Sequence, residues 1–313
     1  MNARGVNDPG ELPRFVRDML GACPRSGEGV HRWLFRCARL LHGFYDDRAE
    51  MAELLAAASS GCGRSVGAHE ILGAIDGSAG CAWRPGMPHA APPAAAWPRP
   101  DAARIESVLA AAGGFGLVDL WEASPIRFPD ELPQTEGIID ALFPADALLC
   151  CGWSKGRFET RPRQGWRGLL SELALIVPSP MSAPAGRRLC DGLPSAHTLD
   201  NTGPRRFLVV EFDRGEPDAH AAILAHLSGF LPLVLAVHSG GKSLHGWFVA
   251  AGLEEGGLRR FMRHAVILGA DPATWGRSQF VRVPDGRRED GSRQCVFYFD
   301  PGVCDAAQPN PQA

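Results

Sequence analysis

Lysine is almost missing from this chain of 313 residues. Only Lys155 and Lys242 occur, so arginine supplies nearly all of the 32 Lys and Arg residues, and 35 Asp and Glu residues leave a formal net charge of −3. This balance excludes a strongly basic protein that binds nucleic acid through its overall charge. Residues 259–293 nevertheless carry eight arginines. The local excess predicts either a basic stripe along a nucleic-acid or nucleotide crevice or an ordinary solvated surface.

Cysteine pairs and long apolar runs are also lacking. None of the nine cysteines belongs to a Cys-x-x-Cys or Cys-x-x-His group, so the sequence predicts no structural zinc site. Their odd number, together with the lack of a signal peptide or a transmembrane stretch, favours reduced thiols. We therefore expect a soluble, cytoplasmic protein that has no membrane partner.

Composition divides the chain into four segments. Apolar residues recur at helical spacing in residues 1–90 and predict a small helical bundle. Residues 91–101 belong to a Pro/Ala-rich linker, and residues 102–304 alternate predicted helices with predicted strands. Residues 305–313 are predicted to form a disordered tail. The sequence therefore predicts an α+β fold with two domains.

Two carboxylates end the most apolar predicted strand. This strand, residues 207–213, has the sequence Phe-Leu-Val-Val-Glu-Phe-Asp. Because side chains alternate along a strand, Glu211 and Asp213 share one face, while apolar residues occupy the other. A carboxylate in such a run is costly to bury unless it is paired with a cation. The strand end is therefore a candidate site for metal ions and phosphate chemistry.

A glycine-rich turn follows one strand–helix–strand unit later. Pro217 begins a predicted helix, residues 232–237 form a second apolar strand, and Gly240-Gly241 interrupts it. Residues 244–250 are predicted to return as the second arm of a hairpin. A right-handed crossover makes the first two strands parallel, so the carboxylates and the glycine-rich turn are predicted to meet at one edge of the sheet.

These motifs resemble the archaeo-eukaryotic primase superfamily, in particular its primase-polymerase branch. The resemblance consists of a strand that ends acidic–hydrophobic–acidic at Glu211–Asp213, a Ser-x-His hairpin at Ser243–His245, and a later Asp271 after a predicted helix. An arginine-containing segment, residues 275–284, follows that aspartate as it does in the family. The resemblance covers residues 205–300, about a third of the chain. The chain departs from the family in having Glu211 where aspartate is usual.

The resemblance implies a primase-like core of mixed β-sheet, related to the RRM fold and flanked by helices. It implies that Glu211, Asp213 and Asp271 are the catalytic residues and hold two divalent ions, Mg²⁺ or Mn²⁺. The activity expected is template-dependent transfer of nucleotides on single-stranded DNA, in DNA replication or repair or for a mobile element, with a helicase or replication protein as a possible partner. Residues 1–90 resemble the helical domain attached to plasmid and phage primases.

Five further residues are predicted to bind the nucleoside triphosphate. The resemblance implies that Ser243 and His245 contact the incoming triphosphate, and that Arg277 and Arg282 neutralise phosphate charge. Lys242 is predicted to bind phosphate because of its own sequence context and not because of the resemblance. A lysine inside a glycine-rich turn of an arginine-biased chain is a stronger phosphate candidate than a lysine elsewhere on the surface.

Other interpretations of the same residues stay open. Asp271 precedes Pro272 and is also a typical N-cap of a helix. The core is alternatively a catalytically degenerate module that binds DNA or nucleotide as an initiator or as an adaptor for a helicase or defence partner, or else a metal-dependent nuclease. A P-loop is disfavoured because Ala236 occupies the position, five residues before Gly241, that requires glycine. A rolling-circle initiator is disfavoured because it needs paired metal-binding histidines and a nucleophilic tyrosine, and the chain has only two tyrosines.

Overall fold

The computed structural model describes residues 12–26, 29–84, 97–129, 133–188 and 192–306. The described residues form helices and antiparallel sheets, which confirms the predicted α+β class. The chain divides into two compact units. The first comprises residues 1–95 with 188–193, and the second comprises residues 96–187 with 194–313.

Two of the predicted segments fall largely outside the described residues. Residues 91–96 of the predicted linker are outside, as are residues 307–313 of the predicted tail. Residues 305 and 306 end the last helix of the second unit. Across the described residues, no helix combines the length and the apolar character that crossing a membrane requires.

The first unit consists of helices around one apolar core. They are α1 (Arg14–Gly21), α2 (Val30–Leu41), α3 (Arg48–Ser59) and α4 (Ala68–Ala79). Helix α2 contributes the largest share of the core, including Leu34 and Leu41, which are fully buried, and α3 adds Leu55. Helix α3 begins where the carboxylate of Asp47 accepts a hydrogen bond from the Ala49 N–H at 2.7 Å. The helical periodicity of the sequence is thus matched by burial on one face of each helix.

The second unit contains the remaining elements. Its helices are α5 (Ala102–Ala111), α6 (Leu117–Glu122), α7 (Thr135–Leu142), α8 (Pro217–Ser228), α9 (Glu255–Ile267) and α10 (Gly302–Ala306). Its strands are β1 (Leu148–Ser154), β2 (Arg157–Pro162), β3 (Leu175–Ile176), β4 (Gly186–Arg187), β5 (Pro194–Ser195), β6 (Phe207–Glu211), β7 (Leu233–His238), β8 (Leu244–Val249), β9 (Val281–Arg282) and β10 (Val296–Phe299).

These strands form two four-stranded sheets and a small hairpin. The first sheet has the order β2-β1-β3-β9, the second has the order β10-β7-β8-β6, and β4 pairs with β5. Every strand pair among the described residues is antiparallel, so the predicted mixed sheet is wrong. The reason is that β8 returns from β7 as a hairpin and lies between β7 and β6. Strands β6 and β7 are still parallel to each other, because each is antiparallel to β8.

The side chains of β6 alternate between two cores, as the sequence predicts. Leu208 and Val210 pack with apolar residues of α8 and α9 on one face of the second sheet. Phe207 and Val209 pack on the other face, in a core that they share with Leu149 of the first sheet. The second sheet therefore lies between the helices and the first sheet. Glu211 follows Phe207 and Val209 along the face that looks toward the first sheet.

Gly246 marks a close approach between β8 and α8. A Cβ atom at this position would overlap Leu224 Cδ2 and lie 3.0 Å from Leu224 Cδ1 in the buried core. We expect Gly246→Ala to lower the free energy of unfolding by about 1–2 kcal/mol, because the core has no room for the added methyl group. Gly137 in α7 is the matched control, since a Cβ there meets nothing within 4 Å.

Urea unfolding of the two alanine variants measures this difference. Gly137→Ala is expected to leave stability unchanged or to raise it by up to about 1 kcal/mol, because alanine favours the helix. Equal effects of the two substitutions would contradict the close packing at Gly246.

Candidate functional site

Glu211 is the last residue of β6 and the centre of the candidate site. The pKa of its carboxyl group is raised from 4.5 to about 7, mainly by burial and also by the neighbouring carboxylates of Asp213 and Asp271. Arg282 and Lys155 act against this shift by favouring the ionised form. Three carboxylates and two cations therefore act on one another at the end of a single strand.

The other two predicted acidic residues, Asp213 and Asp271, come close to Glu211 from different segments of the chain. Asp213 lies two residues beyond Glu211, on the exposed loop that leads to α8. Asp271 follows α9, and its N–H donates to the carbonyl oxygen of Glu211 at 2.8 Å. The Asp271 carboxylate accepts from the Ala273 N–H at 2.9 Å and caps the short 3₁₀ helix Pro272–Trp275. The N-cap interpretation of Asp271 is thus confirmed, and the same residue lies beside Glu211.

The donor chemistry of this group suits a hard divalent cation, because all three side chains offer carboxylate oxygens. Their mutual repulsion, seen in the raised pKa of Glu211, is the kind that a cation relieves. As the side chains stand, the described residues include no group of three His, Cys, Asp or Glu placed to share one metal ion. Sharing an ion therefore requires side-chain rotation, for which the exposed Asp213 is free.

His245 stands beside Glu211 in the second sheet. The two residues are register partners in the β6–β8 pair, and His245 Nε2 lies 3.3 Å from Glu211 Oε1. Burial lowers the pKa of His245 to about 3, and the nearby Arg282 lowers it as well. Since the pKa of Glu211 is raised while that of His245 is lowered, the contact joins a neutral imidazole to a carboxyl group near its titration point. It is not a salt bridge of fixed charges at neutral pH.

Both ring nitrogens of His245 lack a hydrogen-bond partner among the described residues, although the side chain is 2% exposed. The approach of Nε2 to Glu211 does not have hydrogen-bond geometry. A buried polar group without a partner is costly, and a ligand that hydrogen-bonds to it relieves that cost. A neutral histidine beside a carboxyl group can donate or accept a proton or a hydrogen bond when a ligand arrives.

The glycine-rich turn after β7 is closed by its own serines. The Ser239 N–H donates to the Ser243 carbonyl at 2.9 Å, and the Ser243 N–H donates to Ser239 Oγ at 3.2 Å. Gly240 has a φ of +74°, a backbone conformation that disfavours a side chain. Lys242 is exposed at the tip of the turn, and Ser243 is half-buried. The hairpin is as predicted, whereas its pairing with β6 was not part of the prediction.

The two arginines that were predicted to neutralise phosphate charge, Arg277 and Arg282, lie in different surroundings. Arg282 lies in β9 at the edge of the first sheet, half-buried and close enough to Glu211 to affect its pKa. Arg277 instead donates from Nη2 to the carbonyl oxygen of Leu199 at 3.4 Å. Among the described residues, Arg277 is not one of those that act on the pKa of Glu211. The structure thus brings Arg282 to the carboxylates and directs Arg277 toward another loop.

Sequence patterns alone missed two further cations near this site. Lys155 lies on the turn between β1 and β2, and Arg288 lies on the loop after β9. Both line a pocket of about 300 Å³ together with Arg282 and Trp153. The available signals were compositional, because Lys155 is one of only two lysines and Arg288 belongs to the arginine-rich residues 259–293. No motif contains either residue, since both belong to segments remote in sequence from β6.

The described geometry therefore combines carboxylates that act on one another electrostatically, a buried neutral histidine and a pocket lined by cations. Oxygen ligands for a divalent ion and cations for phosphate oxygens are both present within one compact unit. Compared with models of protein families, with curated proteins and with solved structures, the chain matches none of them.

Proposed function

We propose that this protein is a template-dependent nucleotidyltransferase of the primase-polymerase type, which adds nucleotides on single-stranded DNA. The observation that carries the proposal is the approach of Asp271 to the end of β6, where its N–H donates to the carbonyl oxygen of Glu211 at 2.8 Å and the carboxylates of Asp271 and Asp213 both raise the pKa of the glutamate. A carboxylate group of this kind, next to phosphate-binding cations, is what metal-assisted phosphoryl chemistry requires.

In this proposal the three carboxylates hold divalent cations, Mg²⁺ or Mn²⁺. When bound, these ions neutralise charge that develops at the reacting phosphate and favour ionisation of the attacking hydroxyl group. Glu211 then works as an anion, so cation binding lowers its pKa from the raised value of the metal-free protein. Asp271 contributes from a capped position that limits its movement.

The remaining residues of the site orient the triphosphate. Arg282 faces the carboxylates and offers a planar guanidinium group to phosphate oxygens. Ser243 and Lys242 present a hydroxyl group and an ammonium group from the turn at the same end of the sheet. His245 is buried and neutral, so it can hydrogen-bond an anionic ligand as a donor without the cost of a buried charge. For Arg277, only the family resemblance supports a contact with phosphate.

The proposal also covers the binding partners of the protein and its location in the cell. Single-stranded nucleic acid serves as the template, nucleoside triphosphates are the substrates, and a replication helicase is a candidate partner in the cytoplasm. The helices of residues 1–90 correspond in this proposal to the helical domain of plasmid and phage primases, and the second unit corresponds to the primase-like core.

Incorporation of labelled nucleotides on single-stranded DNA tests the proposal directly. With Mg²⁺ or Mn²⁺, the wild-type chain is expected to give products that depend on the template. The double substitution Glu211→Ala/Asp213→Ala is expected to abolish them, because it removes two of the three carboxylates. Glu106→Ala on the exposed face of α5 is the control and should retain activity.

Three results would point elsewhere. A wild-type chain that binds single-stranded DNA without making products would favour the non-catalytic module. Cleavage of DNA without any requirement for a triphosphate would favour the nuclease. Products that persist in the double variant would exclude these carboxylates as the metal ligands.

A further inference from the structure

The cation-lined pocket of the second unit is built by segments remote in sequence. Its walls come from the β1–β2 turn with Lys155, from β3, and from β9 with the loop that carries Arg288. Its volume is about 300 Å³. Trp153 forms part of the wall, and Arg157 covers the ring of that tryptophan at 4.2 Å. The wall is therefore held by packing within the first sheet.

Three cations, Lys155, Arg282 and Arg288, line this pocket together with the acidic residues Glu289 and Asp290. Within the described part of the chain, neither Lys155 nor Arg282 forms a side-chain hydrogen bond or an ion pair within 4.0 Å. Arg288 has only a long ion pair, at 3.8 Å, with Asp290 of its own loop. Burial lowers the pKa of Arg282, and the positive charge of Arg288 lowers it as well, whereas Glu211 and Asp290 act in the opposite direction. Cations that repel one another around a cavity favour the binding of an anion there.

The pocket adjoins the carboxylate end of β6. Lys155 and Arg282 both act on the Glu211 carboxyl group. A Cβ atom on Gly241 would lie 2.9 Å from Arg288 Nη1, so the glycine-rich turn touches the same loop. A ligand that fills the pocket therefore contacts the cations of the first sheet and the Arg288 loop, and this loop in turn contacts the glycine-rich turn of the second sheet.

We propose that this pocket binds the phosphate tail of a nucleoside triphosphate through Lys155, Arg282 and Arg288. The identity of the ligand as a nucleotide rests on the proposed function. Among these cations only Arg282 belongs to a sequence motif. The exposed acidic residues Glu289 and Asp290 also line the pocket and disfavour a long polyanion running past it, whereas a compact phosphate group can insert between the cations.

Calorimetric titration without metal ions tests the pocket separately from catalysis. The full-length chain, in buffer with a chelator, is titrated with a nucleoside triphosphate, with inorganic triphosphate and with the nucleoside that lacks phosphate. Lys155→Ala is expected to weaken binding of both triphosphates by roughly tenfold to a hundredfold, because one charge-assisted contact is lost. Lys155→Arg keeps the charge and is expected to restore most of the affinity. Arg161→Ala, on β2 outside the pocket, is the control.

The outcomes separate this inference from the proposed function. If wild-type protein incorporates nucleotides while Lys155→Ala leaves triphosphate affinity and KM unchanged, the pocket is not the phosphate site and the nucleotidyltransferase stands. If triphosphate binding depends on Lys155 but no nucleotide is incorporated, the pocket stands and the proposed activity fails. Equal weakening by Lys155→Ala and Arg161→Ala, or binding only of the nucleoside, would overturn the inference.

Discussion

Replacing Glu211 by glutamine is expected to stabilise the metal-free protein at pH 8 by about 1–3 kcal/mol, even though it removes a central residue of the proposed site. The side chain is 22% exposed, and its pKa is raised to about 7, mainly by burial. Below pH 4.5 the carboxyl group is protonated in both the folded and the unfolded state and causes no penalty. Between pH 4.5 and about 7 the carboxyl group ionises in the unfolded state but stays largely protonated in the folded state, so stability is lost over this range and the loss is complete above pH 7. Glutamine removes this loss because it does not ionise.

Thermal unfolding at pH 5 and pH 8, in the presence of a chelator, measures the effect. At pH 8 the midpoint of the variant is expected to exceed that of the wild type by roughly 2–12 °C, and the gap should shrink at pH 5. Since all other titrating groups are shared, the difference between the two proteins reports Glu211. Glu106→Gln on α5 is the control. A gap that does not change with pH would show that Glu211 carries no burial penalty.

Divalent ions provide the second arm of this experiment. Mg²⁺ or Mn²⁺ is expected to raise the midpoint of the wild type more than that of Glu211→Gln, because the ion stabilises only the ionised carboxylate. An equal response of both proteins to the ion would show that Glu211 does not bind it, even though the pKa of Glu211 is raised. The variant is thus expected to be more stable than the wild type while losing nucleotide incorporation.

Replacing Arg163 by alanine is expected to lower the free energy of unfolding by about 2–4 kcal/mol. The Arg163 side chain is fully buried at the start of a short 3₁₀ helix, and its Nη2 lies 2.9 Å from Glu136 Oε2 and 2.7 Å from Asp140 Oδ1 on α7. Alanine removes the buried stem and leaves a cavity. The two acidic partners are 35% and 40% exposed, so water solvates them in the variant and limits the electrostatic part of the loss.

Replacing Arg163 by methionine distinguishes the contribution of side-chain packing to stability from the contribution of the charge. Arg163 Nε and Nη1 have no hydrogen-bond partner among the described residues, so burial of this cation is only partly compensated. We therefore expect Arg163→Met to cost less than about 1.5 kcal/mol in urea unfolding. Arg167→Ala is the matched control, because Arg167 pairs with the same Asp140 at 3.2 Å but is 51% exposed, and it should cost less than about 1 kcal/mol. A methionine variant as unstable as the alanine variant would show that the charge itself is required.

The local structure around the candidate site follows from local sequence. Alternation along β6 places Glu211 on the face opposite Val210, and the hairpin that carries His245 follows from Gly240-Gly241 after an apolar strand. The capping role of Asp271 follows from the proline next to it. Each of these inferences depends on residues within one or two turns of backbone.

The strand pairing was only partly predictable. The crossover from β6 through α8 to β7 indicates parallel strands, and β6 and β7 are parallel, yet β8 lies between them and makes the sheet antiparallel. The insertion of a hairpin between two strands depends on which edges are free to pair. A pattern of apolar residues along one strand does not contain that information.

The sequence by itself determined the α+β class, the positions of β6, α8, β7 and β8, and which face of β6 carries its carboxylate, because these depend on local periodicity and turn chemistry. Only the tertiary structure decided that Lys155 and Arg288 join Arg282 around one pocket and that Arg277 turns away from it. It also decided that burial and two neighbouring aspartates raise the pKa of Glu211. These features arise where separate sheets and loops meet, and the distance between such segments is set by the packing of the whole core.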